Sequence, residues 1–303
     1  MGPIHARLRS PSNFPNISPS GEAKIVGSRH RSSKDKQMPV QKCPLCLEVK
    51  PVVDSHLIPA ALFAYCDTPE LSPIRVGGGS IFPTDRQIHT FLLCSACEDI
   101  LNKGGESWMN PKFCTMERVF PFYDLLISGP AEEDEPDGGL YFAALNPRVE
   151  TEKVAHFAMG IFWKASVHSW TRRDVTPMIE LGRYSDQIRT WLKGEKPFPE
   201  GVCLRVTVSP PHRAPITLNP PMAGERTACR NFMMHLLGIL FTISVGNQIE
   251  PELRSNSFSD DPNRPIIVSS RITGLLEAKL VKHYRGQRKT RAYLSGNKKQ
   301  GPT

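Results

Sequence analysis

The chain has 303 residues, a net charge of +8 and eight cysteines. That is length enough for one large domain or two ordinary ones with a sizeable core, and too few cysteines for a disulfide framework in a chain this size. The longest apolar run, Phe232 to Val245, spans 14 residues and contains His235 and Gly238, short of the ~20 that a membrane helix needs. No charged start followed by an apolar segment opens the chain, so the expectation is a soluble, cytoplasmic protein with no membrane partner.

The positive charge sits at the two ends. Residues 1–42 hold eight Lys and Arg against two acids, residues 279–303 hold eight against none, and the body between holds 22 basic and 28 acidic residues. Basic ends raise nucleic-acid affinity through counterion release, and they also serve as solubilising tails with no partner. Residues 1–42, rich in Ser, Pro, Asn, Arg and Lys and without apolar periodicity, are expected to be a disordered basic tail. Met38 stands just before the first cysteine, so a functional chain that starts there is a second reading.

From Cys43 the composition changes. Cys43-Pro-Leu-Cys46 is matched by Cys94-Ser-Ala-Cys97, and two such pairs supply the four soft thiolates of a tetrahedral structural zinc site. Redox use of either pair is the rival reading. The 47 residues between the pairs exceed the spacing of a simple zinc ribbon, so the insert should have structure of its own. Leu47–Pro59 supplies one strand and His89–Cys94 a second. Glu98 to Lys103 forms a helix stopped by Gly104-Gly105. Strand, strand and helix between cysteine pairs outline a treble-clef or ββα-metal module over 43–125. His56, ten residues beyond Cys46, stands alone as a third metal ligand, a buried structural histidine or an active-site base. The isolated Cys66, Cys114, Cys203 and Cys229 read as reduced core residues.

Ala131–Gly139, acidic and full of turn formers, reads as an exposed loop. Val154, Phe157, Ile161 and Ala165 recur at helical spacing, which predicts a buried amphipathic helix over 151–170. His156 and His168 on it read as surface or hydrogen-bonded residues. A second helix is expected around Ser185–Lys193, a half-buried strand at Val202–Val208, one or two core strands across Phe232–Val245, whose aliphatic content also suits a buried helix, and a closing helix at Arg271–Tyr284. The whole is therefore an α+β chain: a metal-stabilised module, then an α+β domain of unknown role over 145–288 that offers a surface for a protein partner, then a basic tail over 289–303.

The order Cys-x-x-Cys, Ser55-His56-x-x-Pro59, Leu92-Leu93-Cys94-x-x-Cys97-Glu98 resembles zinc-stabilised HNH endonucleases, and most nearly an uncharacterised bacterial subgroup with this signature. The likeness covers about residues 43–110, with a weaker echo over His156–Ser166. It implies a nuclease acting on nucleic acid, DNA in the first instance. In that family the histidine ending the first strand is the general base on the attacking water, beside a divalent ion that polarises the phosphate. By position His56 looks like that base and His89 like the middle residue that braces it. Glu98 and Asn102, four apart and so on one helix face, resemble the oxygen ligands of Mg²⁺ or a similar ion, with Glu106 a further candidate. Many members carry Asp immediately before the histidine, where this chain has Ser55; Asp54 is one residue earlier. A non-catalytic zinc-stabilised module binding nucleic acid or protein is the alternative reading.

Overall fold

The computed structural model describes residues 38–64, 74–77, 80–83, 87–113, 115, 117, 119–135, 138–142, 145–170, 178–214, 217–224, 228–257 and 264–269. Residues 1–37 of the expected tail, Cys66, Cys114, the expected closing helix and the basic C-terminal tail lie outside the described residues. The fold is mixed α+β.

The last residues assigned above to the tail are ordered as a strand. β1 (Val40–Lys42) pairs antiparallel with β2 (Val49–Pro51), because the tight Cys43 to Cys46 turn between them reverses the chain. Leu47 takes φ 68° and donates its amide to the Cys43 carbonyl at 2.8 Å. The single strand expected from Leu47–Pro59 is thus two short strands, since β3 (Asp54–His56) follows after a break. Then come α1 (Ala60–Phe63), the hairpin β4 (Ile74–Gly77) and β5 (Ser80–Pro83), and β6 (His89–Phe91), which pairs antiparallel with β3.

α2 (Ser95–Leu101) starts at Cys94, and Gly104-Gly105 does not stop it. The chain widens into a π turn at Asn102–Glu106 and continues as α3 (Ser107–Met109). The glycines answer to contact instead. A Cβ on Gly105 would meet the Phe157 backbone nitrogen and, at 2.5 Å, the Lys153 carbonyl, and one on Gly104 would overlap the His156 ring. The bare backbone lets the next long helix lie directly against this turn.

That helix is α5 (Thr151–Val167), reached through α4 (Pro121–Ile127), β7 (Ala131–Glu135) and β8 (Gly138–Phe142). The described residues of the acidic stretch, 131–135 and 138–139, therefore belong to paired antiparallel strands rather than to a loop. β7 is the edge strand of the sheet, where a charged sequence is tolerated because only one side must pair. α5 is buried all round from Phe157 to Ala165, the mark of a helix enclosed by other elements rather than an amphipathic one. α6 (Tyr184–Leu192) packs beside it.

The remaining elements are β9 (Val202–Val208), β10 (Leu218–Ala223), β11 (Arg230–Leu236), β12 (Ile239–Val245), α7 (Pro251–Ser255) and β13 (Pro265–Ser269). The five strands join β7 and β8 in a seven-stranded sheet of order β10-β11-β12-β9-β13-β8-β7, antiparallel except where β13 meets β9. Phe232–Val245 is a hairpin turned by Leu237 and Gly238, both at positive φ, which suits the right-handed twist of the strands. β9 is buried at every position but Arg205, not half-buried, because it lies inside the sheet with both faces covered. Phe157 of α5 reaches Phe241 of β12, with ring centroids 5.9 Å apart. One connected core runs from Cys43 to Val268.

Two measurements test this packing. Gly105→Ala is expected to cost about 3 kcal/mol in denaturant unfolding, the upper end for overpacking. Gly160→Ala, whose Cβ would meet only the Leu101 side chain at 3.6 Å, should be neutral or stabilise by about 0.5–1 kcal/mol through helix propensity. The second concerns His235, buried on β11 with Nδ1 2.7 Å from the Thr217 hydroxyl. Burial lowers its pKa to about 4. Below the ordinary value near 6.5, the unfolded chain takes up a proton that the folded chain refuses. Stability should fall by up to about 3 kcal/mol as pH drops from 6.5 to 4, and His235→Gln should flatten that slope.

Candidate functional site

The two cysteine pairs, far apart in sequence, come together where the β1–β2 turn meets the start of α2. The Sγ atoms of Cys43, Cys46, Cys94 and Cys97 all lie within 4.8 Å of one another. A tetrahedron with ~2.3 Å zinc–sulfur bonds has edges of about 3.8 Å, and Cys46 Sγ stands 3.9 Å from Cys94 Sγ. Burial raises the Cys97 thiol pKa well above its usual range. Burial pushes Cys43 up too, but hydrogen bonds from the backbone of Cys46, Cys94 and Leu45 outweigh it and leave that thiol lowered. The amide of Cys94 donates to Cys43 Sγ at 3.4 Å, as expected of a sulfur that carries negative charge. Four thiols in this space repel one another once ionised, and a soft cation such as zinc is what their geometry fits. Cys203 and Cys229 are buried and lie outside the cluster.

His56 is not part of the four-sulfur group. The β3–β6 register sets His56 opposite His89, and their rings stack with centroids 5.3 Å apart at 24°. His89 Nδ1 lies 2.7 and 2.9 Å from the two carboxylate oxygens of Asp54, a diagonal cross-strand pair. Side chains alternate along a strand, so Asp54 and His56 share the outer face while Ser55 turns inward. Ser55 is 1 % exposed, and its hydroxyl accepts the Leu93 amide at 3.1 Å. An Asp at this position would point into the core rather than toward His56. The carboxylate beside the histidines comes from Asp54 instead.

Behind His56 lies a charge that the sequence pattern did not reveal. Lys164, 2 % exposed, donates from Nζ to the His56 carbonyl at 2.7 Å and to Glu106 Oε1 at 3.2 Å. It is the one Lys, Arg, Asp or Glu in the apolar run from Val154 to Val167, and a lone charge in a buried helix was the available signal. Burial, assisted by His89 and Lys164, lowers the His56 pKa against the opposing pull of Asp54 and Glu98. His56 is therefore neutral at pH 7.

The helix residues divide. Glu98, in the first turn of α2, has its Oε1 buried with no partner. Asn102 is exposed, and its Oδ1 accepts from the Ser107 hydroxyl at 2.8 Å. Glu106 turns to Lys164. Among the described residues no second group of three His, Cys, Asp or Glu side chains gathers as the cysteines do. No described helix is long and apolar enough to cross a membrane.

Compared with protein-family models, curated proteins and solved structures, the chain matches none of them.

Metal analysis of the purified full chain is expected to give one soft divalent ion per molecule. Cys94→Ser and Cys97→Ser should each lower the metal content and the unfolding midpoint, since such a site contributes roughly 10–16 kcal/mol in zinc-finger peptides, comparable with a whole domain's ~5–15 kcal/mol. Cys203→Ser should leave the metal content unchanged.

Proposed function

We propose that this protein is a metal-dependent endonuclease of HNH type that hydrolyses phosphodiester bonds in DNA, with zinc on the four cysteines and His56 as general base. The observation that carries this reading is the outer face of β3 and β6. A half-buried, neutral histidine stands against a second histidine that is itself held by a carboxylate, next to a four-cysteine cluster. A base must be unprotonated at working pH and still reach the solvent, and His56 satisfies both.

In this mechanism His56 takes a proton from the attacking water as the new phosphorus–oxygen bond forms and the bond to the leaving oxygen breaks. Asp54 holds His89, and the stacked His89 ring limits how His56 turns. Lys164 fixes the His56 backbone from behind. A divalent ion such as Mg²⁺ would neutralise charge on the phosphate when bound, and Glu98, with its orphaned buried oxygen, is the helix residue fitted to hold it. Asn102 and Glu106, whose oxygens have partners of their own, fit that role less well.

The second reading, a non-catalytic zinc-stabilised module that binds nucleic acid or protein, draws on one observation. Asn102 and Glu106 are committed to Ser107 and Lys164, so few oxygens remain for a catalytic ion. Plasmid nicking with added Mg²⁺ or Mn²⁺ separates the two. The nuclease reading expects His56→Ala to lower the nicking rate by roughly 10²–10⁴-fold, the usual worth of a general base, with the metal content unchanged. Equal nicking in both proteins, or none in a fully zinc-loaded wild type, would leave the binding module.

A further inference from the structure

We propose that the groove between the N-terminal turns of α5 and the end of α6 binds a single-stranded segment of nucleic acid, with a base against its aromatic wall and a neighbouring phosphate on its lysines. This deepens the proposed function and rests on reading the protein as one that acts on nucleic acid.

The groove has a volume of ≈ 670 Å³, inside the ~300–1,000 Å³ usual for ligand sites. Three half-buried rings line it in series. His156 and Trp191 have centroids 5.5 Å apart at 44°, and Trp191 and Phe198 meet edge to face at 5.0 Å. His156 is anchored through its Nε2 on the Leu192 carbonyl at 3.0 Å. Its Nδ1 is buried without a partner, close against Gly104. The histidine is thus a fixed, uncharged part of the wall, against which the Trp191 and Phe198 rings already pack.

Charge selects the ligand. The body of the chain carries six more acids than bases, yet the groove is lined by Lys153, Lys193 and Lys196 against Glu152 alone. Lys153 Nζ is seated on the Lys103 carbonyl at 2.7 Å, which leaves two of its three donors for an anion. Lys196 is exposed, and Lys193 pairs with Glu195 beside it. A purely apolar ligand would have no use for the lysines, and a free anion none for the rings. A base with its phosphate uses both, which is how single strands are held without sequence preference. His156 lies eight residues before Lys164 on α5, about 12 Å along the axis. A strand seated in the groove is therefore a few nucleotides from the element that holds His56.

The test uses the full chain with its cysteine-bound metal in place and no Mg²⁺ or Mn²⁺ added, and a fluorescent oligothymidylate of about twelve nucleotides, read by anisotropy. Trp191→Ala is expected to weaken binding roughly ten- to a hundredfold, while Trp191→Phe stays within about threefold and controls for folding. The double substitution Lys193→Glu with Lys196→Glu should weaken binding at least ~10-fold and flatten its salt dependence. Wild-type affinity in Trp191→Ala and in the double variant would assign binding to the basic ends of the chain and overturn the site, as would failure of the wild type to bind. Groove-dependent binding by a protein that never nicks DNA would uphold the site and remove the nuclease reading; nicking that survives the groove substitutions, with binding unchanged, would do the reverse.

Discussion

The backbone of the π turn at Gly104 and Gly105 presses directly on α5, and that contact joins the cysteine cluster to the rest of the core. α2 is fixed at one end by Cys94 and Cys97. Its continuation is fixed at the other by the Phe157 amide and the Lys153 carbonyl, which stand where a side chain on Gly105 would have to go. α5 then reaches across to the sheet through Phe157 and Phe241. The cysteine cluster and the seven-stranded sheet are thus joined through one buried helix, in a core that is continuous between them. The π geometry has a second effect. It inserts about one extra residue into the turn, which rotates the succeeding residues about the helix axis and aims Glu106 at Lys164.

Lys164 shows what this joint costs and what it holds. Removing an ammonium from water costs several kcal/mol even after the protein relaxes, and a methionine of similar length would pack in its place without that cost. The ion is retained with two oxygen acceptors, one on Glu106 and one on the backbone of His56. The second acceptor makes the arrangement more than an ion pair: a charge on α5 holds the end of β3 by its main chain, at the residue whose ring faces outward. Breaking such a pair by removing one partner typically costs about 3–5 kcal/mol, so the strand end is tied firmly to the helix behind it.

Local chemistry was legible in the sequence, and long-range geometry was not. The cysteine pairs stood out because four thiolates at that spacing have one common use in a reduced protein, whatever the fold around them. α5 and α6 showed in their apolar periodicity, and the β11–β12 hairpin showed only as an apolar run suited to one or two core strands or to a buried helix. The strand pairing in the acidic stretch was hidden because its local composition favours a loop; pairing with β8 at the sheet edge overrides that preference. Gly104 and Gly105 read as a stop because glycine most often ends helices, and only α5, some fifty residues later, reveals them as a contact surface. Lys164 is separated from Glu106 by 58 positions and from His56 by 108, a pairing that no local pattern encodes. The aromatic groove has the same character: His156, Trp191 and Phe198 belong to different segments and form a wall only once α6 lies along α5.

Strand parity changes the meaning of Ser55. In the one-dimensional pattern it stands where a metal-binding carboxylate is expected, and its presence counts against a catalytic site. On β3 it faces the interior, where a small hydroxyl that accepts the Leu93 amide suits a nearly closed space, and a charged side chain would be buried without compensation. The exposed face of the same strand belongs to Asp54 and His56, and the β3–β6 register brings His89 into contact with both. The carboxylate on this face is that of Asp54, and it acts on His89. In the proposed mechanism this parity leaves the carboxylate holding the second histidine and the His56 ring on the outer face beside it.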